Sequence, residues 1–289
     1  MKKGWKVFWI ICGVAVSIGI VCCMTAGILG VDYEDVKDTF VFHLDDGVSV
    51  TSRIQNHHEY EYGEYAEHAD TKETYSGIEE VDVEAAGIQL QILPSEDEDV
   101  HVETTGVDRR LKYSCKQDGR TLKISTTKKL RVINRINGYA TVWIYLPDRQ
   151  LQEIDLSNEA GEIYVKTADA KEFTVAVGAG EAWIDDFTAV EADLDCGAGE
   201  ITAEGTILGE GDISCGIGEV SLLLAGREED YYYAVDCGIG AVTVGGRELG
   251  GVGIGHSDHS DHSEEHGHSG SRELSIECGI GSVYVDFKG

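Results

Sequence analysis

Proline is nearly absent from this chain, with 2 among 289 residues, although glycine is abundant at 36. Collagen and proline-rich disordered segments need far more proline, so the composition excludes both. A hydrophobic share of 42% is enough to bury a core. Abundant glycine with little proline favours an all-β domain with many tight corners, because glycine adopts backbone angles that are closed to other residues.

Basic residues are also scarce: 23 Lys and Arg stand against 53 Asp and Glu, for a net charge of −30. Nucleic acids and anionic lipid surfaces would repel such a domain, so we expect no nucleic-acid partner. Divalent metals and basic polymers are its natural counterparts.

Motifs of several enzyme classes are missing as well. The sequence has no glycine–serine nucleophile elbow, no phosphate-binding loop and no Cys-x-x-Cys pair. We therefore predict that the protein is not an enzyme. A carbohydrate-active enzyme remains a further alternative, because some β-solenoids cleave polysaccharides, but regularly spaced carboxylates do not resemble one converging catalytic pair.

Residues 7–31 contain no charged side chain, and about 20 residues of helix already cross a bilayer. The flanking charges are Lys2, Lys3 and Lys6 before this run and Asp32, Glu34 and Asp35 after it. The positive-inside rule then places residues 1–6 in the cytoplasm and the remainder outside. A cleaved signal peptide is the alternative, but its apolar core would be shorter and the site at Thr25-Ala26-Gly27 is poor. Cys22 suggests a lipoprotein, although Gly19-Ile20-Val21 before it is not the usual lipobox. We expect an uncleaved transmembrane anchor that contacts the lipid bilayer.

Residues 32–76 hold twelve acidic and three basic residues with weak apolar periodicity. This composition is typical of a solvated, acidic juxtamembrane linker.

A small-x-Gly corner recurs through the rest of the chain. Its second glycines are Gly161, Gly180, Gly199, Gly218, Gly240 and Gly281, with successive gaps of 19, 19, 19, 22 and 41 residues. Apolar residues fill fixed columns relative to this glycine, such as Ile163, Ala182, Ile201, Val220, Val242 and Val283 two positions later. The apolar positions alternate with polar ones, as in strands.

Repeats this short bury their apolar face only by stacking on their neighbours. The sequence therefore predicts an all-β fold, a parallel β-solenoid of about 19-residue coils, after one N-terminal transmembrane helix. A β-sandwich of hairpins is the alternative and would need antiparallel pairing. In the predicted solenoid, residues 77–147 form the atypical first coil and cap. They include a hairpin at Asp118-Gly119 and a strand from Tyr139 to Leu146.

These features resemble the bacterial putative-adhesin family, a membrane-tethered β-repeat domain common in Gram-positive bacteria. The resemblance covers about residues 77–287 and rests on the Gly-Ala-Gly-Glu corners, the Val142-Trp143-Ile144-Tyr145-Leu146-Pro147 strand and the Cys278-Gly279-Ile280-Gly281 coil. It implies a domain from 77 to 289 without a known catalytic site. The His-rich insertion at 255–270 departs from the family pattern.

That insertion is the candidate metal site. Its ligands would be His256, His259, His262, His266 and His268, helped by Asp258, Asp261, Glu264 and Glu265. Imidazole and carboxylate groups suit zinc or nickel, and their irregular spacing favours weak binding over one closed site. No cofactor is required by this interpretation. A hydrophilic loop without a metal is the alternative.

Two further columns contain reactive or charged side chains. Cys196, Cys215, Cys237 and Cys278 share one position, where small buried residues explain them better than disulfides do, because parallel neighbours hold their Cβ atoms side by side. Glu162, Glu181, Glu200 and Glu219 form a row in which solvation, or a divalent cation, relieves the repulsion.

Together these patterns predict a single-pass cell-membrane protein with an extracytoplasmic, adhesin-like scaffold or interaction module. A cell-envelope polymer or a surface protein is its expected partner. Extracellular divalent-metal binding or sensing through the His-rich insertion is the alternative function.

Overall fold

Strands dominate the computed structural model, which describes residues 70–127, 140–251, 264–267 and 271–289. The thirteen strands are β1 (Thr71–Tyr75), β2 (Glu80–Ala85), β3 (Ile88–Pro94), β4 (Val100–Thr105), β5 (Ser114–Asp118), β6 (Thr121–Ser125), β7 (Ala140–Leu146), β8 (Leu151–Val165), β9 (Ala168–Ala225), β10 (Tyr231–Val244), β11 (Arg247–Gly251), β12 (Glu264–Gly267) and β13 (Arg272–Lys288). Two 3-10 turns, Arg109–Leu111 and Glu228–Asp230, complete the described elements. The predicted all-β class is confirmed.

The predicted transmembrane anchor at 7–31 lies outside the described residues, and so does most of the predicted linker. Within the described ranges, no helix has the length and apolar character needed to cross a bilayer.

Parallel stacking at a step of 19 residues organises the middle of the chain. β8 pairs in parallel with β9, joining Leu156 to Val175 and Gly161 to Gly180. β9 then continues the same step through its 58 residues. A methyl group added to Gly199 would lie 1.9 Å from the carbonyl oxygen of Gly180, and one on Gly218 equally close to that of Gly199. Corner backbones of successive coils therefore touch, which only glycine permits. The predicted parallel repeat is confirmed, and the antiparallel sandwich is wrong for these segments.

Alternation along each coil places one set of side chains inside the stack. Leu194, Ile201, Ile213 and Val220 are at most 1% exposed. They belong to one continuous apolar core that extends from Ile78 to Val285. Burying each such side chain stabilises the fold by about 1.5–3 kcal/mol.

The last two coils do not stack in chain order. β13 pairs in parallel with the end of β9, joining Ile276 to Ile213. β10 pairs with the opposite edge of β13, joining Val235 to Ile276. The C-terminal coil thus lies between two coils that precede it, so the sequential order implied by the repeat alignment is wrong here. In the sequence, residues 245–271 separate β10 from β13 and include β11 and β12.

Two short strands, β11 and β12, lie on the outer edge of β10. β11 turns back through Gly245 and Gly246, whose φ angles are 56° and 75°, and pairs antiparallel with β10 from Val244 to Ala241. Two consecutive positive φ angles suit a tight hairpin turn. β12 pairs antiparallel with Val235 to Tyr232 of the same strand.

The opposite end of the stack is closed by an irregular coil. β2 and β3 both pair in parallel with β8, joining Val83 to Leu156 and Leu90 to Ile163. These pairings confirm the predicted degenerate first coil. β5 and β6 form the predicted hairpin around Gly119, whose φ is 65°.

The described fold begins earlier than the predicted domain boundary at residue 77. β1, which lies in the predicted linker 32–76, pairs antiparallel with β4. Lys72 forms an ion pair with Glu103 at 2.9 Å, and the hydroxyls of Thr71 and Thr104 are 2.7 Å apart. These cross-strand pairs hold β1 in place although its own sequence is polar.

Candidate functional site

Acidic side chains cover the outward face of the strand segments that precede the glycine corners. Residues such as Glu153 and Asp155 point outward because Ile154 and Leu156, which alternate with them, are fully buried. We call this surface the acidic face. Its fourteen carboxylates are Glu80, Glu153, Glu172, Glu191, Glu210 and Glu273 in the first row, Asp82, Asp155, Asp193 and Asp212 in the second, and Glu84, Asp195, Asp236 and Glu277 in the third.

The pairing register makes the first row continuous, whereas Thr174 interrupts the second row and Ser157, Ala176 and Ser214 interrupt the third. Glu80 lies opposite Glu153, and Glu153 opposite Glu172. Beyond β9, Glu210 lies opposite Glu273. Neighbouring coils are about 4.8 Å apart, so like charges at that distance repel by about 1 kcal/mol at the dielectric constant of water.

This repulsion appears in the titration of the acidic face. Burial, followed by the charges of Asp82 and Glu153, raises the pKa of Asp155 to about 6. Burial also raises the pKa of Glu153, with Glu172 as the next contribution. The pKa of Asp193 is raised by burial and then by Asp212. The face therefore holds its charges close together at an energetic cost.

A shallow depression of about 250 Å³ lies in the middle of this face. Its walls come from three successive coils and include Glu172, Glu191, Asp193, Glu210 and Asp212. Phe173 and Ala192 also line it, although both residues are buried. The depression is thus bordered by carboxylates from three coils.

The carboxylate row predicted after the glycine corners is present on the following strand segment. Glu162 lies opposite Glu181 in the parallel register. The amide of Gln89 donates to Glu162 at 3.0 Å. Burial raises the pKa of Glu181, and Glu200 and Glu162 raise it further. The predicted row is confirmed as in register. Its four glutamates form a smaller group than the fourteen carboxylates of the acidic face.

An apolar ridge stands at the corners of the last three coils. Ile217, Ile280 and Ile239 are 53%, 52% and 61% exposed. Ile280 lies opposite both Ile217 and Ile239, so the three side chains form one row. Earlier coils carry alanine at this position.

The cysteine column is continuous across four coils. Cys278 lies opposite both Cys215 and Cys237, and Cys196 lies one 19-residue step before Cys215. Cys196, Cys215 and Cys278 are at most 4% exposed, whereas Cys237 is half-buried. All four thiols are free, as is that of Cys115 on β5.

The predicted metal ligands lie largely outside the described residues. These are His256, His259, His262 and His268, with Asp258 and Asp261. His266 falls in β12, opposite Tyr233 of β10, together with Glu264 and Glu265. In the described ranges, no group of three or more His, Cys, Asp or Glu side chains is arranged to hold a metal. Zinc or nickel binding by the insertion stays a prediction.

The acidic face was missed at the level of the sequence, although a signal for it exists. Eight residues before the corner glycine, five repeats carry glutamate: Glu153, Glu172, Glu191, Glu210 and Glu273. The apolar columns mark the core, whereas this polar column occupies the outward positions that alternate with them.

Comparison with known proteins identifies the repeat. The Toastrack DUF4097 family profile matches residues 78–223, which is about half of the chain. The chain belongs to this Toastrack family. The match begins at the irregular first coil and ends in the last coil of β9, and it confirms the resemblance to putative adhesins of unassigned function.

Solved structures similar to this Toastrack chain carry adhesin names. A putative cell adhesion protein from Clostridium sporogenes is 15% identical, with 75% of this chain and 99% of that chain covered and a TM-score of 0.32. A putative adhesin from Parabacteroides distasonis is 16% identical, with coverages of 74% and 96% and a TM-score of 0.28. No curated protein matches the chain.

Proposed function

We propose that this Toastrack domain is the extracytoplasmic part of a membrane-anchored, non-catalytic interaction scaffold. Its acidic face binds a cationic partner at the cell surface, either a basic envelope polymer or a basic region of a surface protein. The observation that supports this proposal is the group of fourteen carboxylates on one face, six of which form one continuous row.

The spacing of the array favours a multivalent partner. Charges about 4.8 Å apart lie within the Debye length of about 8 Å at physiological ionic strength, so neighbouring carboxylates act together. A polymer with several ammonium groups relieves the repulsion among them. Its later groups also bind in an effectively intramolecular way, which raises the overall affinity.

The regularity of the array favours binding over catalysis. A glycosidase needs two carboxyl groups in contrasting environments on either side of one bond. Here the same residue type recurs on successive coils, and the depression at Glu191 is shallow. Asp155 has the environment closest to that of a general acid, because its pKa is about 6. Polysaccharide hydrolysis that is lost in Asp155→Asn would therefore favour the enzyme alternative.

Binding of fluorescent poly-lysine in physiological salt tests the proposal. Replacing Glu172, Glu191 and Glu210 with lysine should weaken binding by about tenfold or more, since three attractive contacts become repulsive. The matched control replaces Glu181, Glu200 and Glu219 with lysine on the other strand segment. It makes the same change in net charge on the same three coils.

A loss confined to the first variant supports the acidic face as the binding surface. Equal losses in both variants would mean that poly-lysine responds only to net charge, which would contradict a defined face. Protease treatment of intact protoplasts tests the location independently. Removal of the domain is expected, and its protection would contradict an extracytoplasmic position.

A further inference from the structure

The four cysteines of the interior column differ in their freedom to move. The strands carrying Cys196, Cys215 and Cys278 each lie between two other coils, whereas β10, which carries Cys237, is the last coil of the stack. On its outer edge, β12 pairs with β10 as far as Val235, and β11 pairs with it from Ala241 onward. Among the described residues, no strand pairs with the outer edge of 236–240. Cys237 therefore has room to shift, and it is half-buried rather than sealed inside.

The parallel register places Cys237 and Cys278 opposite one another on neighbouring coils. In-register parallel neighbours hold their Cα atoms about 4.8 Å apart, inside the window of about 4.4–6.8 Å that disulfides occupy. Their Cβ atoms are at a similar distance, and a disulfide needs about 3.5–4.5 Å. A shift of a few tenths of an ångström closes that difference. The terminal strand allows such a shift, whereas the Cys196–Cys215 and Cys215–Cys278 pairs would have to compress the interior of the stack.

We propose that Cys237 and Cys278 form a reversible disulfide that ties the terminal coil β10 to the C-terminal coil β13. A hydroperoxide is the oxidant. The Cys237 thiolate attacks the peroxide, the O–O bond breaks, and an alcohol or water leaves with the proton, which gives a sulfenic acid. The sulfur of Cys278 then attacks the Cys237 sulfur, the S–O bond breaks and water leaves. Two thiols thus supply the two electrons that reduce one peroxide.

The environment of the pair predicts how the reaction depends on pH. Burial raises the pKa of the Cys237 thiol, and burial followed by the neighbouring thiols raises the pKa of Cys278 to about 12. Because the thiolate is the nucleophile, oxidation should be slow at neutral pH and faster as the pH rises. The disulfide, once formed, requires no buried charge.

Tryptic mapping of the full chain in detergent tests the pairing directly. Cleavage at arginine and lysine places Cys237 in the peptide 228–247, Cys278 in 273–288, and both Cys196 and Cys215 in 172–227. After hydrogen peroxide treatment and trapping of free thiols, we expect 228–247 linked to 273–288. The link should disappear on reduction with dithiothreitol, and two of the eight thiols should be lost to it.

Matched variants complete the test. Cys115→Ser should leave the linked peptide unchanged, because Cys115 lies on β5 at the other end of the stack. Cys237→Ser should abolish it. A link from 172–227 to 273–288, a bond within 172–227, or oxidation of Cys237 beyond the sulfenic acid without any link would each overturn the proposal. The wild-type map decides the matter even if a variant fails to fold.

Discussion

At the scale of single residues, the tightest constraint lies in the columns where successive coils touch. The corner glycines leave no room for a methyl group, because the nearest atom is a backbone oxygen of the neighbouring coil. Two positions further on, Ile201 and Val220 are fully buried. The sequence shows both constraints, since a repeat reveals each column several times. A single buried residue in the irregular first coil, such as Leu111, has no such repetition and was not predictable.

Ile201→Asp tests the interior column. The substitution places an unpaired carboxylate in the stacked core and should cost about 3–5 kcal/mol. For a domain of this size, the melting temperature should fall by about 10 °C. Ile217→Asp is the matched control, because the same change at a side chain that is 53% exposed should be nearly neutral. Similar melting temperatures for the two variants would contradict the stacking.

At the scale of strands, the acidic face couples coil stacking to pH. A carboxyl group whose folded pKa lies above its unfolded value binds more protons in the folded state, so folding stability falls as the pH rises between the two values. For Asp155 that window runs from about 4, its unfolded value, to about 6 in the folded protein. The raised pKa values of Glu153 and Asp193 act in the same direction.

Asp155→Asn should therefore stabilise the domain at pH 7 and have less effect at pH 4, where the native aspartate is largely protonated. Thermal melts at the two pH values measure this difference. Asp195→Asn is a suitable control, since Asp195 lies in the same face at an exposed position. Destabilisation by Asp155→Asn at pH 7 would show that the carboxylate makes a favourable contact there instead.

The His-rich insertion belongs to the element scale, because β11 precedes it, β12 lies within it, and both strands pair with β10. We expect the purified protein to bind zinc or nickel through the imidazoles from His256 to His268. Affinity should fall as the pH drops through about 6.5, where free histidine takes up a proton. The fold should survive a chelator, since the apolar columns lie elsewhere.

Calorimetric titration of the wild type against a variant with serine at all five histidines of the insertion measures this binding. Equal heats of binding for the two proteins would show that the metal binds elsewhere in the chain. Unfolding by a chelator would mean that the metal supports the fold.

At the scale of the whole molecule, the repeat predicted the stacking but not the order of the coils. The corners Gly180, Gly199 and Gly218 each follow the preceding corner by 19 residues, so the repeat predicts that the coil of Gly240 stacks next. Side-chain contacts instead join β13 to β9. The guanidinium of Arg272 donates to the carbonyl oxygen of Ala225 at 3.3 Å, and Lys288 forms an ion pair with Glu204. Such cross-coil pairs are invisible to a column alignment, because each occurs only once.

This order makes the C-terminal residues essential for β10, and two truncated chains test that dependence. One ends at residue 226 and the other at residue 246, so only the second retains β10. Because β10 docks on β13, the longer chain should gain no stability from the 20 added residues. Amides of residues 231–244 should exchange freely in it, although Tyr231 and Tyr233 are buried in the full chain. Protection of those amides in the longer truncation would mean that β10 docks directly on β9, and that the interposed coil is an alternative arrangement rather than a requirement.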